Sequence, residues 1–358
     1  MTGHHAKPAA GGTTPEQWAA LAEKAAADVN ARFGRRLMSL PGSWIGAIAA
    51  PGDGSMRGRP RQRPTPLAPW HYWWQAHYLD AMVDAAHLAR RAGRETAAAR
   101  ELHRAQQLLR GIMIRNFLRF PNYFYDDMAW LALAAARLNE LCLQLTGRRS
   151  PLARFAVKSL HKQLHSAHDM VLGGGIHWSR KRDFKNTPAN GPAALHFTRM
   201  GELERARSIV DWLRSELFDT AAGLYVDGIH PSATGHDVET TLYTYNQGPI
   251  LAALLELGQP EYLSQAADLI DAIDRGLSTP GTGIRLEPGG DGSLFTGILC
   301  RYLALAARDG RLPAASRDTA SNLVRETAAA VAGQAPEQLS AAVQQWSIFA
   351  AAATCPQP

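Results

Sequence analysis

The chain has 358 residues, 46% hydrophobic and 20% charged, which suits a large folded core and argues against a disordered chain. Its formal charge is +6, from 38 basic against 32 acidic side chains. The arginines are scattered along helical stretches without a zinc-finger, RNA-recognition or helix-turn-helix signature, so nucleic acid is not an expected partner. No apolar run approaches the roughly 18 to 20 residues that cross a bilayer, so no membrane span is expected.

Helical periodicity dominates, and strand signals are scarce. Residues 1–14 read as a flexible, polar tail without the apolar stretch of a secretory signal. Together with three widely spaced cysteines (Cys142, Cys300 and Cys355) this points to the cytoplasm, or to a secreted protein if a signal has been removed. Residues 15–354 read as one domain. The first helix is expected over 15–37, after the start signal Thr13, Thr14 and Pro15. A Pro-, Gly- and Arg-rich loop covers 39–69. An aromatic segment from Trp70 then leads into a helix that ends near Arg91. An amphipathic helix follows over 95–118, and an apolar one over 126–145. A surface helix spans 151–170. A loop with Gly173, Gly174 and Gly175, expected to be a flexible turn, leads to a helix that opens at Asn190, Gly191 and Pro192. Further helices are expected over 202–217, 250–257, 261–273, 293–307, 314–332 and from Gln344 to the end.

These helices alternate in character. Every second one is apolar nearly all round, and those between are amphipathic. Inner helices buried on every side and outer helices with one wet face satisfy both patterns. The expected fold is all-α, six helical hairpins closed into an (α/α)6 barrel. An open solenoid is the competing arrangement, and it would show a cleaner repeat and polar capping units. If the hairpins alternate regularly, the loops before the inner helices meet at one end. Side chains near Trp73, Asp126, Asp183, Asn190, Asp227, Tyr245 and Gln247 would then share one mouth.

Carboxylates, amides and aromatics make up that mouth. Asp126 and Asp127 stand where an aromatic loop enters an apolar helix. A helix start favours negative charge, so one of them as a cap and the other in water is the plain reading. The chemical reading is sugar cleavage. Rings stack on pyranose faces, amides bond hydroxyls, and hydrolysis of a glycosidic bond needs one carboxylic acid and one carboxylate. A charged aspartate at the helix start raises the pKa of its neighbour, which splits the two roles. No metal-ligand spacing, nucleotide loop or serine elbow is present, and no metal or cofactor is expected. His161, His165 and His168 read as packed or solvated. A sugar isomerase or epimerase using His71, His77 or His177, and a non-catalytic glycan-binding barrel, are the alternatives.

Several motifs in order resemble glycoside hydrolase family 76, the endo-α-1,6-mannanases, from about Trp70 to Trp346. They are Trp73, Trp74, Gln75 and His77; Tyr125 to Trp130; Arg182, Asp183, Lys185 and Asn186; Asn190 to Pro192; Asp227 and Gly228; Tyr243 to Gly248; and Phe295 with Gly297. The resemblance implies an (α/α)6 barrel and retaining hydrolysis of α-1,6-mannan or mannooligosaccharides without a cofactor. It implies Asp126 as nucleophile, Asp127 as acid/base and Asp227 as a supporting carboxylate. It places Trp73, Trp74, Tyr125, Asp183, Asn186, Asn190, Tyr245, Asn246 and Gln247 along the substrate cleft. The oligomeric state stays open.

Overall fold

The structure is a computed structural model that describes residues 12–50, 69–232 and 235–357. Most of the expected tail and most of the 39–69 loop lie outside the described residues. Among the described residues twelve α-helices follow one another: α1 Pro15–Arg32, α2 Tyr72–Arg91, α3 Glu95–Arg115, α4 Tyr125–Thr146, α5 Pro151–Ala167, α6 Thr187–Arg199, α7 Leu203–Glu216, α8 Thr244–Leu257, α9 Pro260–Leu277, α10 Gly292–Ala306, α11 Ala314–Val331 and α12 Leu339–Ala352. Among the described residues none is long and apolar enough to cross a membrane.

The even-numbered helices pack α2 on α4, α4 on α6, α6 on α8, α8 on α10, α10 on α12, and α12 back on α2. This closed inner ring is an (α/α)6 barrel, not an open solenoid. Each inner helix also packs on one outer helix, and α12 takes α1, so the two ends of the chain complete one pair. Trp18 of α1 stacks on Phe349 of α12 at 5.9 Å. Burial follows from sequence. In α4 every residue from Met128 to Ala135 is buried. In the outer α9 the buried set is Tyr262, Ala266, Leu269, Ile270, Ile273 and Leu277 with Ala272, one helical stripe.

Helix starts depart from expectation at α6, α8 and α12. Pro192 and Pro249 lie inside α6 and α8 and not at their first turns. The preceding glycines let the helices close in. A Cβ on Gly248 would come within 2.7 Å of the Tyr302 ring. Short antiparallel ladders dress the loops: β1 Gly34–Arg35 with β2 Ile45–Gly46, β3 Lys185–Asn186 with β6 Gly228–Ser232, β4 Phe218–Asp219 with β5 Leu224–Tyr225, β6 with β7 Gly235–Glu239, and β8 Ser278–Thr279 with β9 Gly283–Ile284.

Farther along the inner helices, four charges, with Asp80 and Arg301 buried and Asp84 and Arg137 half-buried, tie the ring together. Arg137 of α4 bonds Asp80 and Asp84 of α2. Arg301 of α10 bonds Asp84 through Nε at 3.0 Å and Nη2 at 2.9 Å, and reaches Ser347 of α12 at 3.2 Å. A cavity of about 1250 Å³ opens beside this network at the C-terminal ends of the inner helices, away from the aspartate pair.

Candidate active site

The first turns of the inner helices converge. The ring of Trp73 (α2) lies 6.5 Å from that of Tyr245 (α8) and 6.0 Å from that of Phe295 (α10). Tyr245 and Phe295 stack at 3.7 Å with an interplanar angle of 7°. Trp130, one turn deeper in α4, lies 6.4 Å from Tyr245. His77 packs between Trp73 and Trp130.

A positional rule organises this end. The second and third residues of α2, α4 and α8 are Trp73 and Trp74, Asp126 and Asp127, and Tyr245 and Asn246, and they cluster as the candidate site, with Trp74 and Asn246 buried beneath its surface. The fourth residue of α2, α6 and α8 turns back as a brace. Gln75 bonds both the N–H and C=O of Gly46 at 2.8 and 3.0 Å. Asn190 does the same to Ile176 at 2.7 and 2.9 Å. Gln247 does so to Tyr225 at 2.9 and 2.8 Å. A carboxamide has the donor and acceptor of a peptide group, so each one pairs with a loop as a neighbouring strand would.

Asp126 and Asp127 keep a partly open face. Asp126 Oδ1 accepts the Asp127 backbone N–H at 2.7 Å, and Oδ2 accepts the Trp178 Nε1–H at 2.9 Å. Asp127 Oδ2 accepts one donor, Asn122 Nδ2–H, at 2.6 Å. Burial pushes both carboxyls above the usual carboxylate range. The two donors to Asp126 oppose this shift, whereas the charges of Asp126 and Asp291 raise Asp127 further. The first proton therefore leaves Asp126, and Asp127 keeps its own. Asp227 is pushed up to about 6, chiefly by burial. Asn246 Nδ2 lies 3.4 Å from its Oδ1. Among the described residues no lysine or arginine forms an ion pair with Asp126, Asp127, Asp227 or Asp291. Among the described residues, the buried Asn246 Oδ1 and both His77 nitrogens have no hydrogen-bond partner.

Several expected ligands have other work. Asn190 and Gln247 are fully buried braces and do not project into the mouth. Asn186 caps α6 by accepting the Ala189 N–H, and its carbonyl accepts Asn190 Nδ2–H. The Asp183 carboxylate is committed to Lys181 at 2.6 Å on an exposed turn. Tyr125 is buried, with the Arg180 guanidinium over its ring. The triple glycine is a packed turn and not a flexible one. All three residues have positive φ, and a Cβ on Gly175 would meet Trp212 at 2.6 Å and Asn190 at 2.8 Å. Buried Lys185 fixes that turn through the carbonyls of Val171 and Gly174, both at 2.6 Å, and through Asp169. The isomerase alternative loses its bases. His177 is buried against Asp169 at 2.7 Å, His71 stacks on Trp74, and burial holds His77 neutral, down to about 3.

The model of glycosyl hydrolase family 76 matches residues 52–348, most of the chain. The chain belongs to glycosyl hydrolase family 76. Among solved structures, an α-1,6-mannanase from a Salegentibacter species is similar, with 27% identity, TM-score 0.78, and coverage of 94% of this chain and 99% of that one. A Listeria innocua protein (22% identity, TM-score 0.75, coverage 94% and 97%) and a family 76 glycoside hydrolase from Bacteroides thetaiotaomicron (18%, 0.69, 94% and 76%) share the fold. Among curated proteins none matches.

For a family 76 chain, two side chains at this mouth escaped the sequence reading. Asp291, ahead of α10, accepts the indole N–H of Trp73 at 2.9 Å and of Trp74 at 2.6 Å. It fixes both tryptophans and adds its charge to the field at Asp127. Its signal was an acid in the loop before an inner helix, where the other site residues stand. Trp178 is the indole donor to Asp126. Nothing in its local sequence marks it.

Proposed function

We propose that this glycoside hydrolase cleaves α-1,6-mannosidic linkages in mannan or mannooligosaccharides with retention of configuration. One observation carries the reading: two adjacent carboxyls with different hydrogen-bond donors at the start of α4, inside a mouth walled by Trp73, Trp130, Tyr245 and Phe295. The substrate assignment is supported by the Salegentibacter α-1,6-mannanase, whose inactive variant with two aspartates changed to asparagine was seen with α-1,6-mannotriose.

In this reading the Asp127 O–H gives its proton to the glycosidic oxygen as the C–O bond breaks. The ionised Asp126 attacks the anomeric carbon and forms a glycosyl ester. Asp127, now a carboxylate, takes a proton from water, and that water releases the sugar from Asp126. The Asp127 N–H and the Trp178 indole hold Asp126 as an anion before attack, and they accept it again as the leaving group. Asp227 and Asn246 supply an acceptor and a donor for sugar hydroxyls, and Tyr245 with Trp130 gives a flat apolar wall for the pyranose. Burial and the neighbouring acids raise the Tyr245 hydroxyl well above its ordinary range, so it remains a donor.

The test is product analysis with α-1,6-mannotetraose beside α-1,2- and α-1,3-linked mannobiose. New reducing ends from the α-1,6 substrate alone are expected. Binding of the tetraose without turnover would leave a glycan-binding barrel, and equal cleavage of all three would remove the linkage assignment.

A further inference from the structure

Outer helix α5 meets the turn between α6 and α7 outside the inner ring. His161 and His165, four residues apart, lie on one face of α5. Glu202, just before α7, presents its carboxylate to both. His161 Nε2 is 2.9 Å from Oε1, and His165 Nε2 is 2.8 Å from Oε2. The three donor atoms lie within 4.8 Å of one another, and each side chain keeps a partly open face.

Behind this group, His161 Nδ1 lies 3.1 Å from Nε2 of His196 on α6. A neutral imidazole has one acceptor nitrogen, and His196 Nε2 is placed to serve as one for His161. Where His161 donates its Nδ1–H there, its Nε2 lone pair faces the Glu202 oxygen. Two lone pairs 2.9 Å apart repel, and a cation between them removes the conflict. The cation is either a proton on His161 or a metal ion.

We propose that His161, His165 and Glu202 form a transition-metal site, of the kind that takes Zn²⁺, joining α5 to the α6–α7 turn. Two imidazoles and one carboxylate are a borderline-soft donor set, and three protein ligands leave a fourth position to solvent. The His161–His196 bond is the outer contact that orients a ligating imidazole. Metal–ligand bonds of about 2.0–2.1 Å separate ligand atoms by about 3.3 Å, so binding opens each contact by a few tenths of an ångström. Arg205 opposes the ion. Its Nε lies 3.4 Å from Glu202 Oε2, and its guanidinium sits over Phe197. That charge sets a micromolar rather than a nanomolar expectation. The metal would staple the second helical pair to the third and take no part in hydrolysis.

The experiment titrates the chelator-treated full chain with Zn²⁺ by calorimetry, and with Co²⁺ by its visible spectrum. One equivalent is expected to bind at micromolar affinity, with a tetrahedral or five-coordinate cobalt spectrum. Saturating Zn²⁺ should raise the melting temperature by about 3 °C. His161→Ala should weaken binding at least about 100-fold, and His196→Phe about 10-fold. Hydrolytic turnover should stay unchanged in the metal-free protein and in His161→Ala. Should His161→Ala fold poorly, His165→Gln provides the same comparison from the more exposed ligand. No stoichiometric binding, or binding that His161→Ala and His165→Gln leave intact, overturns the site and leaves a protonated histidine–glutamate pair. Neither outcome touches the assignment of the mouth.

Discussion

At the foot of the ring, Asp80 and Asp84 sit between two guanidinium groups. At the mouth, among the described residues, Asp126 and Asp127 have only the N–H donors of neutral groups. Arg137 and Arg301 hold the Asp84 carboxyl down at about 2 against its burial. The same burial, without a cation, lifts Asp126 and Asp127. A buried carboxyl follows its nearest charge. A paired one is structural and ionised, whereas an unpaired one is shifted upward to where it can exchange a proton. The foot also has a cavity of about 1250 Å³, so a cavity by itself does not separate the two ends.

Asp126→Asn and Asp127→Asn break the comparison at the mouth. Each should lower turnover of α-1,6-mannan by at least about 10⁴-fold, which corresponds to roughly 5 kcal/mol of barrier. At pH 4 each should keep wild-type thermal unfolding, since among the described residues no ion pair is lost. Turnover within tenfold of wild type in either would assign the chemistry elsewhere. Arg301→Met breaks the comparison at the foot. It leaves Asp84 half-paired in the core and should cost about 3–5 kcal/mol in denaturant unfolding. The protein that remains folded should turn over substrate within about twofold of wild type. A large activity loss without destabilisation would show that the two ends are not separate.

Trp178→Phe sharpens the comparison. Removing one hydrogen bond to the charged form raises Asp126 by about one further pH unit. The acid limb of kcat/KM against pH should move up by that amount, and kcat should fall about tenfold. An unmoved limb would remove Trp178 from the proton assignment. The smallest effect is in stability against pH. Folded-state values for Asp126 and Asp127 lie above the unfolded value of about 4, so their contribution is present below that pH and is lost as pH rises through the folded values. Asp84 has the opposite sign. Its contribution is present above about pH 4 and is lost as pH falls toward 2. The double variant Asp126→Asn with Asp127→Asn should therefore melt about 2 °C above wild type at pH 8 and equal to it at pH 4. The reverse order would contradict the sign.

The ring was legible in the sequence because burial leaves a compositional mark. Met128 to Ala136 has no polar side chain, and its neighbours in α5 alternate. Asp126 and Asp127 were legible because charge at the edge of such a run needs a reason. The amides were not. Asn190 and Gln247 present the same donor and acceptor to a sugar hydroxyl as to a peptide group, and only coordinates show that Ile176 and Tyr225 use them. Position within the helix start separates the two cases, but Gly191-Pro192 and Gly248-Pro249 hid the true starts. Read from Pro192, Asn190 precedes a helix; in the fold it is the fourth residue of one. The same limit applies to Glu202, which meets His161 and His165 only after α6 has returned the chain to α5.

The central claim is that Asp126 attacks carbon while Asp127 manages the proton. Proton NMR of the anomeric signals during the first minutes of α-1,6-mannotetraose cleavage tests it most directly. The account predicts that the new reducing end appears first as the α-anomer and then mutarotates. A β-anomer formed first would mean a single displacement by water, and Asp126 would not be the nucleophile.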